Sequence, residues 1–65
     1  MDQDVIEDII SAIAIQGRFL ESQEQAVRRY LEEHPEEVRR MQPYLECGNY
    51  ASLLELVDIA QRLYL

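Results

Sequence analysis

The run from Asn49 to Leu65, NYASLLELVDIAQRLYL, constrains this chain more than any other stretch. It is the longest uninterrupted segment of apolar periodicity, and every other element is short enough to pack around it. With ~100° of turn per residue, Leu53, Leu56, Val57, Ala60, Leu63 and Tyr64 share one face, and Tyr50 and Leu54 widen it to an apolar arc of roughly 180°. Ser52, Glu55, Asp58, Gln61 and Arg62 form the polar remainder, with Ile59 at its edge between Glu55 and Leu63. An arc wider than the ~100° stripe of an ordinary surface helix calls for cover from more than one side: by neighbouring helices, a second copy or a partner protein.

Length limits how much of that cover the chain itself supplies. At 65 residues it is one small domain, 1–65, of a size that rarely gains more than ~3–5 kcal/mol from its core alone. Cys47 is the only cysteine, so neither an intramolecular disulfide nor a thiolate metal cluster can reinforce it. Oligomerisation or partner binding is the remedy left open. The charge count, 13 acidic against 6 basic residues for a net −7, with every cation an arginine, argues against direct nucleic-acid or anionic-membrane binding. Both of those ligands need a cationic surface. The same imbalance favours a basic protein partner. Asp2 and Asp4 follow Met1 where a secretory signal would be basic and then apolar, and Ile9 to Gly17 is far short of the ~20 residues of a membrane span. A cytoplasmic setting is the expectation.

The remaining sequence resolves into three short helices. Asp4 as N-cap, Glu7 at capping-box spacing and Gly17 as terminator predict helix one over 4–16, with Val5, Ile6, Ile9, Ile10, Ala12 and Ile13 on one face. Ile15 falls on the opposite, polar side between Asp8 and Ser11. Arg18 to Glu21 form a connection, and Ser22 with Gln25 predicts a second capping box and a helix over 23–33 with a narrow stripe of Ala26, Val27, Tyr30 and Leu31. Its outward face carries Glu24–Arg28, Arg28–Glu32 and Arg29–Glu33 at i,i+4, a solvated, self-paired surface. His34-Pro35 marks the next boundary. Helix three, 35–46, places Val38, Met41 and Leu45 inward, and Pro43 predicts a kink or break near Gln42. Gly48 as the left-handed C′ residue and Asn49 as N-cap then lead into a helix over 50–64. The fold class is all-α, a compact bundle of four short helices, with helix one the broad apolar partner of the C-terminal helix.

Tyr44, Gly48, Tyr50 and Ala60 are spaced in a way that resembles part of a tetratricopeptide hairpin. The likeness covers less than half of the chain, with no second copy, and departs from the pattern at Arg40, Met41 and Pro43. It implies a shared helical-hairpin arrangement between the third and fourth helices and no more.

No residue set assembles an obvious chemistry. His34 with Glu33, Glu36 and Glu37 is the only grouping of imidazole and carboxylates, but Pro35 splits it and one histidine does not make a transition-metal site. Cys47 and His34 stand at opposite ends of helix three, about 18–20 Å apart, too far for nucleophile and base. Both glycines are isolated helix terminators, not a phosphate loop. The arginine pairs Arg28-Arg29 and Arg39-Arg40 lie among glutamates that neutralise them. Neither an enzyme, a cofactor nor a metal is expected. The expected function is that of a small acidic protein-protein interaction module, a regulator or adaptor working through an apolar helix face, with Ile15, Leu54, Ile59, Tyr64 and Leu65 as contact residues. Two alternatives accompany it: a structural homodimer built on the C-terminal helix, and an acidic nucleic-acid mimic inhibiting a basic protein. In the mimic, Asp2, Asp4, Glu7, Asp8, Glu32, Glu33, Glu36 and Glu37 would replace phosphates.

Overall fold

Pro35 and Gly48 set the limits of the middle helix, and the computed structural model shows how each does so. It describes residues 2–17 and 19–65, with Asp2 through its backbone only; Met1 and the Arg18 of the first connection lie outside the described residues. Four α-helices, α1 Asp2–Ala14, α2 Glu21–Glu33, α3 Pro35–Glu46 and α4 Glu55–Tyr64, are joined by short connections, the last of which is a 3-10 helix, Tyr50–Leu54. His34 alone separates α2 from α3, at φ −131 and ψ 75, and Pro35 opens α3 where its missing N–H costs nothing. The His34 ring stays local. Its Nδ1–H donates to the Tyr30 carbonyl over 2.9 Å and the two rings lie 4.5 Å apart, so the histidine closes the end of α2. At the other limit Gly48 adopts φ 79. Its N–H donates to Leu45 (3.3 Å) and that of Asn49 to Tyr44 (2.9 Å), the two bonds of a Schellman motif.

Several expectations fail at helix ends, for reasons of competition. α1 runs over 2–14 instead of 4–16, with Asp4 inside it, and no Asp4–Glu7 capping box forms. Glu7 finds a better partner in Arg28 across the bundle. α2 begins at Glu21, two residues early, and the Ser22–Gln25 box is replaced by a single arm, the Leu20 N–H donating to Gln23 Oε1 over 3.0 Å. Pro43 does not break α3, which is continuous from Pro35 to Glu46. Pro43 and Arg39 are both exposed, so the Arg39 carbonyl freed by proline is on the side that water can reach.

The largest departure is in the C-terminal run. Residues 50–64 are not one α-helix: the first five wind as a 3-10 helix, entered by a Ser52 N–H to Asn49 carbonyl bond of 3.3 Å, and Asn49 makes no side-chain cap. In the tighter winding residues three apart eclipse, which stacks the half-buried Tyr50 over the fully buried Leu53 and turns Leu54 outward.

Packing follows a route that the apolar faces alone do not specify. The core is wholly apolar: Ile6, Ile9, Ile10, Ala12 and Ile13 of α1; Ala26, Val27, Tyr30 and Leu31 of α2; Val38 and Met41 of α3; and Leu53, Leu56 and Ala60 of the C-terminal run. A Cα radius of gyration of 10.4 Å is that of a close-packed chain of this length, ~11 Å. α4 packs against α2, while α1 packs against α3, α2 and the 3-10 helix; among the described residues the backbones of α1 and α4 make no close approach. Helix one therefore covers only the 3-10 start of the C-terminal run, residues 50–54, and leaves α4 to α2. The hairpin expected between the third helix and the C-terminal run is likewise only partial: α3 packs on the 3-10 helix and reaches α4 through the Arg40–Glu55 ion pair. Arginines tie the separate pairs together. Arg28 clasps Glu7 of α1 with two bonds, Nε at 2.8 Å and Nη2 at 2.9 Å, and also holds Glu24. Arg40 joins Glu37 of α3 to Glu55 of α4 at 2.6 and 2.8 Å. The α2 surface is thus only partly the self-paired face expected: Glu24–Arg28 and Arg29–Glu33 form, while Arg28 turns to Glu7 in place of Glu32.

Candidate protein-binding surface

Where α1 and α4 fail to meet, a cleft of about 440 Å³ opens. Ile13, Phe19, Leu54 and Val57 give it apolar walls, and Gln16, Gln23, Asp58 and Gln61 line it with polar groups. Each wall has a distinct origin. Ile13 is the last core residue of α1, Phe19 comes from the connection, and Leu54 is the residue that the 3-10 winding turns outward at 42% exposure. Gln16 fixes the end of α1 by donating to the Tyr50 carbonyl over 2.7 Å and to the Ala12 carbonyl over 3.3 Å. Gln23 caps α2. The cleft is therefore braced by hydrogen bonds at two of its sides.

The residues expected to make contacts are not gathered on this one surface. Leu54 lines the cleft. Ile15, 73% exposed, stands over a separate seam between α1 and α3. Tyr64 and Leu65 border a third hollow with Ser22, Gln25, Ala26 and Arg29 of α2. Ile59 is half-buried against the core and lines none of these three. Two further large apolar side chains, Leu20 and Leu63, are as exposed as Leu65 or nearly so. Sequence reasoning placed Leu63 on the buried face, and nothing marked Leu20 beyond its position before a helix cap. Phe19 and Val57 were also missed as cleft residues; an aromatic two residues past the glycine that ends the first helix is the signal that could have pointed to Phe19.

Tyr64 is committed within the fold. Its hydroxyl donates to Glu33 Oε1 over 2.6 Å, and the Arg29 guanidinium lies 4.5 Å over its ring while also bonding Glu33 at 3.1 Å. The Tyr64 bond, followed by Arg29, holds the Glu33 carboxyl below the usual carboxylate range, and the Glu33 carboxylate pushes the Tyr64 phenol up. Glu7 is likewise held low, first by its bonds to Arg28. Burial pushes the Tyr30 phenol up. These carboxylates are charged structural anchors. Of the residues that a phosphate mimic would present, Glu7, Glu33 and Glu37 are already paired with arginines.

Cys47 is exposed, with its thiol 3.6 Å from the Tyr44 carbonyl, and His34 is engaged by Tyr30. Among the described residues no group of three His, Cys, Asp or Glu side chains converges as a metal site, and no helix is long and apolar enough to cross a membrane. Comparison with known protein families, curated proteins and solved structures finds no match for the chain.

Proposed function

We propose that this chain is a small acidic protein-interaction module, a regulator or adaptor in the cytoplasm, that receives an apolar segment of another protein in the cleft over Leu54. The observation that carries the reading is the cleft itself. Its walls are apolar, it is open, and it lies between two helices whose own core faces are already filled, so closing it is not needed to complete the fold. A volume of this size accepts one or two side chains of a partner. Interface patches of this kind combine apolar anchors with a hydrogen-bonding rim, and Gln61 and Asp58 supply that rim.

The test uses Leu54→Asp. Because Leu54 is part-exposed, the variant keeps its melting transition within about 0.5 kcal/mol of wild type. Proteins captured from the source lysate by wild type but not by the variant, and retained at moderate salt, support the reading. Equal capture by both, or capture lost at moderate salt alone, sinks it, the latter in favour of an electrostatic mimic. A dimer mass in light scattering that reverts to monomer in the Leu54 variant would instead identify the occupant as a second copy.

A further inference from the structure

We propose that the seam between α1 and α3 is a second binding site, one that takes an arginine side chain from a basic segment of a partner protein. The seam is an open hollow of about 330 Å³, lined by Asp8, Ser11, Ala12 and Ile15 of the first helix and its end, with Leu45 of α3 and Tyr50. Ile15 belongs to the same helical face as Asp4, Asp8 and Ser11, since its N–H still donates to the Ser11 carbonyl over 3.1 Å. All four are exposed. The result is a strip with carboxylates at one end and an isoleucine, a leucine and a tyrosine at the other.

The occupant is set by charge. Among the described residues no cation lines the seam, and Arg28, Arg29 and Arg40 are engaged on other faces. A second copy of a chain of net −7 would bring Asp8 toward its own symmetry mate across a two-fold axis. A cationic side chain meets the strip without that repulsion. Arginine fits better than lysine: its planar guanidinium pairs with a carboxylate and stacks on an aromatic ring, while its methylene stem covers apolar side chains. The molecule already builds this combination internally, with Arg29 lying over the Tyr64 ring and bonded to Glu33. At the seam, Asp8 takes the part of Glu33, Tyr50 that of Tyr64, and Ile15 and Leu45 receive the stem.

The proposal shares with the preceding one only that the chain binds protein, and a single titration separates the two. ¹⁵N-labelled full-length chain is titrated at low salt with a short capped peptide alternating leucine and arginine, and with the same peptide carrying neutral, isosteric citrulline. The expected shifts concentrate on the amides of Asp8, Ser11, Ile15, Leu45 and Tyr50, and the citrulline peptide binds about tenfold more weakly, the worth of a charge-assisted hydrogen bond. Asp8→Asn, an exposed and nearly isosteric change whose fold is checked by circular dichroism, loses a similar factor for arginine and little for citrulline. Equal binding of the two peptides, or an unaffected Asp8→Asn, overturns the site. Shifts confined to Leu54, Val57 and Gln61 overturn it while leaving the cleft reading intact. Concentration-dependent shifts at the seam without peptide would show a second copy there and overturn the assigned occupant.

Discussion

The two flanks of α4 are built from similar residues and end in opposite states. Toward α2 the helix is closed: Leu56 and Ala60 are fully buried, and Tyr64 is held by Glu33 and Arg29 at its last turn. Toward α1 it is open, and Leu54, Val57 and Phe19 face a cleft. Nothing in the character of a leucine separates Leu54 from Leu53 or Leu56. What separates them is the 3-10 winding of residues 50–54, which turns Leu53 inward and Leu54 outward, beside an α1 that packs on α2, α3 and the 3-10 helix and is fixed at its end by Gln16 on the Tyr50 carbonyl. An apolar residue is thus core or exposed according to the winding of its own segment and the neighbours packed on it.

The sharpest way to break this comparison is to shorten a leucine on each flank. Leu56→Ala on the closed side should cost about 2–5 kcal/mol, enough to unfold much of a domain of this size, whereas Leu54→Ala should stay within about 0.5 kcal/mol. Urea titrations followed by circular dichroism compare them directly, and equal losses would mean that the cleft is closed in solution. Next in size is the clasp. Arg28 is only 22% exposed and makes two bonds to Glu7, so Arg28→Ala should cost about 1 kcal/mol. A double-mutant cycle with Glu7→Gln should recover most of that as coupling; additive effects would show that the clasp does not hold α1.

Acid should act through the same clasp. The folded-state Glu7 carboxyl lies below its unfolded value because of Arg28, so its stabilisation is full above the ordinary carboxylate range and is lost as pH falls through the lowered folded value. Glu7→Gln should flatten that part of the stability profile, and an unchanged acid slope would place the linkage elsewhere. The smallest expected effect is at the C-terminal end of the closed flank. Tyr64→Phe deletes the bond to Glu33 but keeps the ring under Arg29, so the urea midpoint should fall by less than for Arg28→Ala. Its clearer signature is spectroscopic: wild type should show two tyrosines ionising at raised pH in ultraviolet titration, Tyr30 and Tyr64, and the variant only one.

Local chemistry made much of the fold legible. The limits at 33, 35 and 46 follow from His34-Pro35 and from Gly48, where a proline without an N–H and a glycine at positive φ leave few conformations to choose from. The apolar stripes of α1, α2 and α3 became the core in the structure, except Val5 and Leu45, which are only partly buried at its edge. Reading was weaker where a side chain had two partners to choose between. Glu7 was assigned to its own helix start and went to Arg28, and Gln23 displaced the Ser22–Gln25 box. The cleft was only half visible: Leu54 could be named from the helical wheel, but Phe19, Gln16 and Gln23 reach it from other elements.

By itself the sequence determined that the chain is all-α, where its middle helices stop, and that it carries more apolar surface than its narrow stripes can cover. These are consequences of periodicity and of the backbone limits of proline and glycine, which act over a few residues. The tertiary structure alone decided that α4 rests on α2, that α1 stands apart from it, and that residues 50–54 tighten into a 3-10 helix so that Leu53 turns inward and Leu54 outward. Those choices depend on contacts between residues distant in sequence, such as Arg28 with Glu7 and Gln16 with Tyr50. Such contacts have no period to reveal them, because each is selected only once the helices compete for the same limited apolar surface.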